Sequence, residues 1–327
     1  MAYSFKEGNR GMDSRGVKKL AICGLDVFTD RPFSGNPTAV VPNADRLSAG
    51  EMQAVARELN LETTFVLKSN DEKALICLRY FMPLREIELC GHGTIGAVWA
   101  LAKEGLIRHG LSRLTVETPV GLLRIGLEWA ARNPINVVMD QLPPEFRKST
   151  CTVQEVAQTL GIPSNWIASD VLPLMCASTG RAKLLIPLVD WESLDRISLD
   201  ERGLSKLCGQ ISVSGLYPFT LRPRNSTVVA EARQFPHGGG VPEDPVTGVA
   251  ACALGAYLVD RRAVPVEEPM TRLLIEQGHA IGRPGMVEVR IHVEGGRVVG
   301  AQIAGRAVTV SRTEMAVFTP SLQFEGG

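Results

Sequence analysis

Two stretches of this chain are too apolar on every side to lie at a surface. "TIGAVWALA" (94–102) and "GVAACALGAYLV" (248–259) contain no charged residue, and each follows a short turn, "CGHG" at 90–93 and "DPVT" at 244–247. A helix that is apolar all round has to be enclosed by other elements, so each stretch reads as the buried central helix of one of two domains. Laying Thr247 on Thr94 sets Ala250 on Ala97, Ala253 on Ala100 and Leu254 on Leu101, which reads as one device used twice. The first turn of such a helix presents unpaired N–H groups and a positive dipole end, and two of them together can clamp a carboxylate.

At 327 residues the chain is longer than most single domains, so two are expected. "KLAICGLDVF" and "TAVV" read as strands on either side of the turn-forming "TDRPFSGNP". Ser48 and Glu51 form a capping box that opens an amphipathic helix ending near Asn60. "ETTFVLKS" and "ALICLRYFMP" read as a hairpin, and "RLTVETPVGLLRIGLE" and "INVVMD" as further strands. In the second half, "TVQEVAQTLG" and "SLDERGLSKLCGQ" have helical periodicity, with "LPLMCAST" and "AKLLIPLV" as strands between them. The polar, basic stretch 1–18 reads as a disordered leader. A domain boundary is placed between Thr118 and Gly121, giving domains at 19–120 and 121–312, with 313–327 returning to the first. The fold class is α/β in the α+β sense, a mixed sheet around a central helix in each half.

Lys plus Arg and Asp plus Glu both number 35, so neither a nucleic-acid surface nor a polybasic membrane contact is expected, and the partner is a small molecule. The seven cysteines are odd in number and contain no CxxC pair, as expected of reduced thiols in a cytoplasmic protein. No metal is expected: Cys90 and His92 lie two apart, but histidines 109, 237, 279 and 292 are dispersed. "CGHGTIGA" has no lysine, which argues against a P-loop.

Four residues stand out for chemistry. Cys90, at a helix N-terminus, is a candidate proton carrier or nucleophile, or else an ordinary buried thiol. His92 follows Gly91 in a turn and is placed to meet ligand or solvent. Glu62 in "LNLETTFV" falls at a helix-to-strand junction. A carboxyl beside apolar neighbours can take and return a proton near neutral pH, whereas one at an exposed strand start is only a surface charge. Asp244 is placed like an N-terminal cap of the second apolar helix, where it is either structural or the partner of a substrate amine.

"DVFTDRPFSGNPTAVV", "LNLETTFV", "RYFMP", "ELCGHGTIGA", "EDPVTGVAA" and "QGHAIGRPG" occur in the order seen in the PhzF-like (phenazine-biosynthesis) proteins, which the chain resembles over about residues 19–320. The resemblance implies the diaminopimelate-epimerase fold, with two similar domains and an active site in the cleft between them. It implies that Glu62 is the catalytic glutamate, that Gly91 and His92 border the site, and that Asp244 is the aspartate of the second motif. Members are often dimers, so a homodimer is expected. The family's second motif commonly reads EDPxTGSA, and Val249 stands where its serine would be, which sets the phenazine-pathway substrate in question. "CGHGTIG" also resembles proline racemases and hydroxyproline epimerases, which use two thiols; here Val246 stands about where the second would be.

The function expected is a cofactor-independent isomerase acting on a small amino or carboxylic acid. Glu62, His92 and Asp244 are the catalytic set, and Cys90, Gly91, Gly93, Thr94, Thr247 and Gly248 line the substrate. The alternatives are an epimerase or racemase using Glu62 and Cys90 as opposed bases, and a non-catalytic binding homologue.

Overall fold

The computed structural model describes residues 17–238 and 240–318. The chain divides into two compact units. One holds the described residues up to Asp26, Pro37–Val137 and the described residues from Ala307; the other holds Val27–Asn36 and Val138–Arg306. Residues 118–121, where a boundary is expected, instead form the turn of a hairpin inside the first unit. The expected leader, apart from Val17 and Lys18, and the end of the returning segment from residue 319 lie outside the described residues.

The first unit contains β1 (Val17–Val27) up to Asp26, β2 (Asn36–Val41) from Pro37, α1 (Ala49–Leu59), β3 (Thr63–Leu67), β4 (Ile76–Phe81), β5 (Glu86–Ile87), α2 (Gly91–Lys103), β6 (Arg113–Thr118) and β7 (Gly121–Ala130), with Val27 and Asn36 falling in the second unit. The strand β8 (Asn133–Asp140) then leads out of it. β2 and β3 run parallel, β3 and β4 form the expected antiparallel hairpin, β4 runs parallel to β6, and β6 pairs with β7. Ser48 and Glu51 make the capping box, and Asn60 ends α1 in the left-handed region at φ 47°. Met52, Val55 and Ala56 of α1 pack on Ala39, Val41, Phe65 and Phe81. The Phe65 and Phe81 rings meet edge to face at 5.4 Å. Every residue of α2 from Gly93 to Ala102 is buried, as its lack of charge requires.

The second unit contains β9 (Glu145–Lys148), α3 (Val153–Leu160), β10 (Met175–Ser178), β11 (Lys183–Pro187), α4 (Trp191–Asp195), α5 (Glu201–Ile211), β12 (Gly215–Thr220), β13 (Ala230–Ala232), β14 (Phe235–Pro236), α6 (Gly248–Asp260), β15 (Met270–Gln277), β16 (Gly285–Glu294) and β17 (Arg297–Gly305). β18 (Ala307–Phe318) returns to the first unit, beginning six residues before the return expected at 313. Within the second unit the strands pair in the succession β9, β10, β11, β12, β13, β15, β16, β17. α6 packs against β10, β11, β15, β16 and β17, a mixed sheet curled around a central helix. On the opposite face of β11 and β12, Leu184, Ile186 and Leu216 meet Val156 and Leu160 of α3 and Leu204, Leu207 and Ile211 of α5. β9, α4, β13 and β14 are too short to produce a periodic pattern in the sequence.

The repeat of the two central helices is present in a different register. Both helices have 13 residues, with Cys90 the N-cap of α2 and Thr247 the N-cap of α6. By position in the helix, Thr247 therefore corresponds to Cys90 and Gly248 to Gly91, and Thr94 lies in the fourth helical position. Matching Ala and Leu alone slips the alignment by four residues, about one turn. The residue that matches Cys90 by helix position is Thr247, not Val246.

Candidate functional site

In the first unit, the chain leaves α1 through Asn60 and enters β3 one residue after Glu62. The Glu62 carbonyl accepts from the Thr38 hydroxyl at 2.9 Å and from the Ala39 N–H at 3.1 Å. The backbone is thus pinned to the start of β2, and the carboxylate is left partly open to solvent at 20 % side-chain exposure. Its Oε2 lies 3.6 Å from His92 Nε2.

Cys90 caps α2 through sulfur: Sγ accepts the Gly93 N–H at 3.1 Å, and a donor there stabilises negative charge on it. The thiol is buried and stands 3.5 Å from His92 Nδ1 and 3.8 Å from Nε2. One reactive atom from each of Glu62, Cys90 and His92 falls within 4.8 Å of the others. Below them, the Thr94 hydroxyl donates to the Cys90 carbonyl at 2.7 Å, and Tyr80 OH meets Thr94 Oγ1 at 2.7 Å. Burial pushes the Tyr80 phenol upward, so it stays a donor and ties the first turn of α2 to β4. Gly93 is small for a reason, because a Cβ there would stand 2.5 Å from Thr64 Oγ1 and 2.8 Å from Cys90 Sγ. Glu62, Cys90, Gly91, His92, Gly93 and Thr94 are therefore one cluster.

In the second unit, Asp244 lies three residues ahead of the N-cap and does not cap α6 itself. Its Oδ2 accepts the hydroxyl of the cap residue Thr247. The reason is local: the cap hydroxyl is turned back to the carboxylate, so no side chain closes the first turn of α6. Asn36 Nδ2 donates to Asp244 Oδ1 at 2.8 Å and to the Val246 carbonyl at 2.7 Å. Gln277 Nε2 donates to the Asp244 carbonyl at 2.7 Å, while Gln277 Oε1 accepts from the Thr247 N–H at 3.2 Å and from Tyr217 OH at 3.1 Å. Asn36 and Gln277 went unassigned in the sequence although both lie at family motifs, because their role depends on contacts 208 and 33 residues away.

Lys183 was also unassigned. It is 5 % exposed, and its Nζ donates to the Ser214 carbonyl at 3.2 Å. Burial lowers its pKa from the ordinary 10.5 to about 8; Asp244 opposes that shift, Arg181 adds to it and Cys208 opposes it. The unfolded chain keeps this proton up to about pH 10.5 and the folded chain releases it near 8, so between those values the unfolded state binds more protons and stability rises with pH. The charge costs on the order of 3 kcal/mol at neutral pH. Lys183→Met is expected to stabilise the protein at pH 7 by about 1–3 kcal/mol. The gap to wild type should close between pH 8 and 10.5. Urea unfolding of both proteins at pH 7 and 10 checks this, and an unchanged gap contradicts it.

Among the described residues no helix is long and apolar enough to cross a membrane. The phenazine biosynthesis-like protein family model matches residues 25–313. The chain belongs to that family. An uncharacterised isomerase of Clostridium acetobutylicum is 34 % identical over 305 residues, which cover 92 % of this chain and 99 % of that protein. The crystal structure of the Bacillus anthracis phenazine biosynthesis protein of the PhzF family superposes with a TM-score of 0.83 at 32 % identity, covering 92 % of this chain and 100 % of that one. A hydroxyproline epimerase from Agrobacterium vitis, solved with trans-4-hydroxy-L-proline, has TM-score 0.58 at 13 % identity over 92 % of this chain and 94 % of that one, a likeness of fold alone. This PhzF-like chain is an enzyme of the isomerase class, with the epimerase-type α+β fold.

Proposed function

We propose that this PhzF-like protein moves a proton between carbons of a small amino or carboxylic acid without a cofactor, with Glu62 taking and returning the proton. The observation that carries the reading is the Glu62 carboxylate, fixed through its backbone, partly open to solvent and 3.6 Å from His92. His92 orients the substrate's polar groups and accompanies the charge of Glu62. The N–H groups at the start of α2, around Gly91 and Gly93, suit a carboxylate, and so do those of α6 around Thr247 and Gly248. Asp244, held by Asn36 and Thr247, supplies the acceptor that an amino group needs. We further propose a cytoplasmic homodimer, in line with the family resemblance and the seven free cysteines.

The geometry favours an isomerase with one base over an epimerase that pairs Glu62 with Cys90. Opposed bases each approach one carbon to about 3–3.5 Å from opposite faces, which needs about 6–7 Å between them. The reactive atoms of Glu62 and Cys90 are within 4.8 Å, and Thr247 replaces a second thiol at the corresponding helix position. Cys90→Ser is accordingly expected to keep turnover within about tenfold of wild type, since the general-base contribution of about 10²–10⁴ rests on Glu62. The test is incubation with a panel of amino acids, hydroxyprolines and dihydro-hydroxyanthranilate, followed by chiral chromatography and proton NMR for isomer formation. Conversion of one class by wild type and Cys90→Ser alike supports the reading. Abolition by Cys90→Ser supports opposed bases, and no conversion across the panel counts against the proposed substrate class.

A further inference from the structure

We infer that Glu62, Cys90 and His92 form a binding site for a single thiophilic divalent cation, zinc above all, and that its occupancy switches the enzyme off. Site formation follows from the geometry of the three side chains. The inhibition rests on the role of Glu62 proposed above.

At Zn–S of about 2.3 Å, Zn–N of about 2.0–2.1 Å and Zn–O of about 2.0–2.2 Å, tetrahedral ligand atoms stand about 3.3–3.6 Å apart. Here His92 Nε2 is 3.6 Å from Glu62 Oε2 and 3.8 Å from Cys90 Sγ, and all three atoms fall within 4.8 Å. Two edges of the triad therefore already have nearly the spacing of a zinc tetrahedron, and the third, from Glu62 to Cys90, lies within 4.8 Å and closes as the ion enters, with the fourth corner left for water. A sulfur, an imidazole nitrogen and one carboxylate oxygen make a soft to borderline donor set that suits zinc and disfavours magnesium or calcium. The charges balance, since a thiolate and a carboxylate neutralise a dication. An outer-shell bond is also in place, with the Gly93 N–H donating to Sγ at 3.1 Å. Cys90 and His92 share the first turn of a buried helix, whereas Glu62 comes from the junction between α1 and β3, 28 residues before Cys90, so ligand spacing in the sequence gives no hint of the set.

Binding is an exchange without redox change: Cys90 gives up its thiol proton to solvent and its sulfur bonds the metal, while Glu62 and His92 each donate an electron pair. A Glu62 carboxylate bound to metal cannot accept a substrate proton, so turnover stops until the ion leaves.

The test uses the full-length protein stripped with EDTA and titrated with cobalt(II) as the spectroscopic probe. One ion per chain is expected, with thiolate-to-cobalt charge-transfer absorption and the strong visible bands of a tetrahedral site, both abolished by an equivalent of zinc. Cys90→Ser should remove the charge-transfer band although the other six cysteines remain. Glu62→Gln should weaken binding at least tenfold while keeping the band. Absence of the band in wild type, or its persistence in Cys90→Ser, overturns the site. Isomer formation is followed in parallel with zinc alone. Loss of activity restored by EDTA supports the switch. Binding with undiminished turnover leaves the metal site standing and removes Glu62 as the base. Normal turnover without a cobalt band removes the metal site and leaves the proposed function intact.

Discussion

Glu62→Gln is expected to lower turnover of the identified substrate by about 10³-fold, the middle of the range for loss of a positioned general base. The carboxamide matches the carboxylate in shape but cannot take up a proton at neutral pH. Folding should be little affected, because the anchor at this junction is the Glu62 carbonyl, held by Thr38 and Ala39, and not the side chain. The lost contact to His92 is partly exposed, a kind that contributes little to stability. Steady-state kinetics and a thermal melt on the same preparation check both parts. Full turnover in the variant contradicts the assignment, and collapse of the melt would make the position structural.

Glu243→Ala is expected to destabilise the protein by about 3 kcal/mol, the low end for breaking an ion pair withdrawn from water, because it strands a largely enclosed guanidinium. Arg233 and Glu243 meet at two points, 3.0 Å for Nε to Oε1 and 2.6 Å for Nη2 to Oε2, with side-chain exposures of 11 % and 7 %. Arg233 Nη1 also donates to the Leu194 carbonyl at 2.7 Å, and the guanidinium lies 4.9 Å from the centre of the Phe235 ring. Since Asp244 is the next residue, the same change should loosen the turn that Asn36 and Gln277 brace. Combining Arg233→Met with Glu243→Leu removes both charges and should recover most of the loss. Urea unfolding of wild type and the two variants decides the matter, and a shift below about 1 kcal/mol for Glu243→Ala contradicts a strongly coupled pair.

What the sequence makes legible here is local chemistry. Ser48 and Glu51 announce α1 because a capping box spans four residues, and the charge-free runs at 94–102 and 248–259 announce buried helices because no exposed helix tolerates them. The register between those helices is not legible, since Ala and Leu match Ala and Leu at several offsets while the caps are set by the extended backbone of Cys90 and Thr247. Long-range partnerships are hidden for the same reason. Asn36 reaches Asp244 across 208 residues, and Lys183 is buried beside Ser214 through sheet pairing that no periodicity encodes. Asp244 looks like a cap from its position in the chain, yet only the direction of the Thr247 hydroxyl shows that it supports the cap.

The proposed reaction requires Glu62 to carry a proton to and from a substrate carbon. The most direct test is proton NMR in D2O, following the identified substrate with wild type and with Glu62→Gln in the presence of EDTA. Deuterium is expected at a carbon-bound position of the product with wild type, while Glu62→Gln produces neither product nor label on the same timescale. Equal deuterium uptake by the two proteins would contradict it.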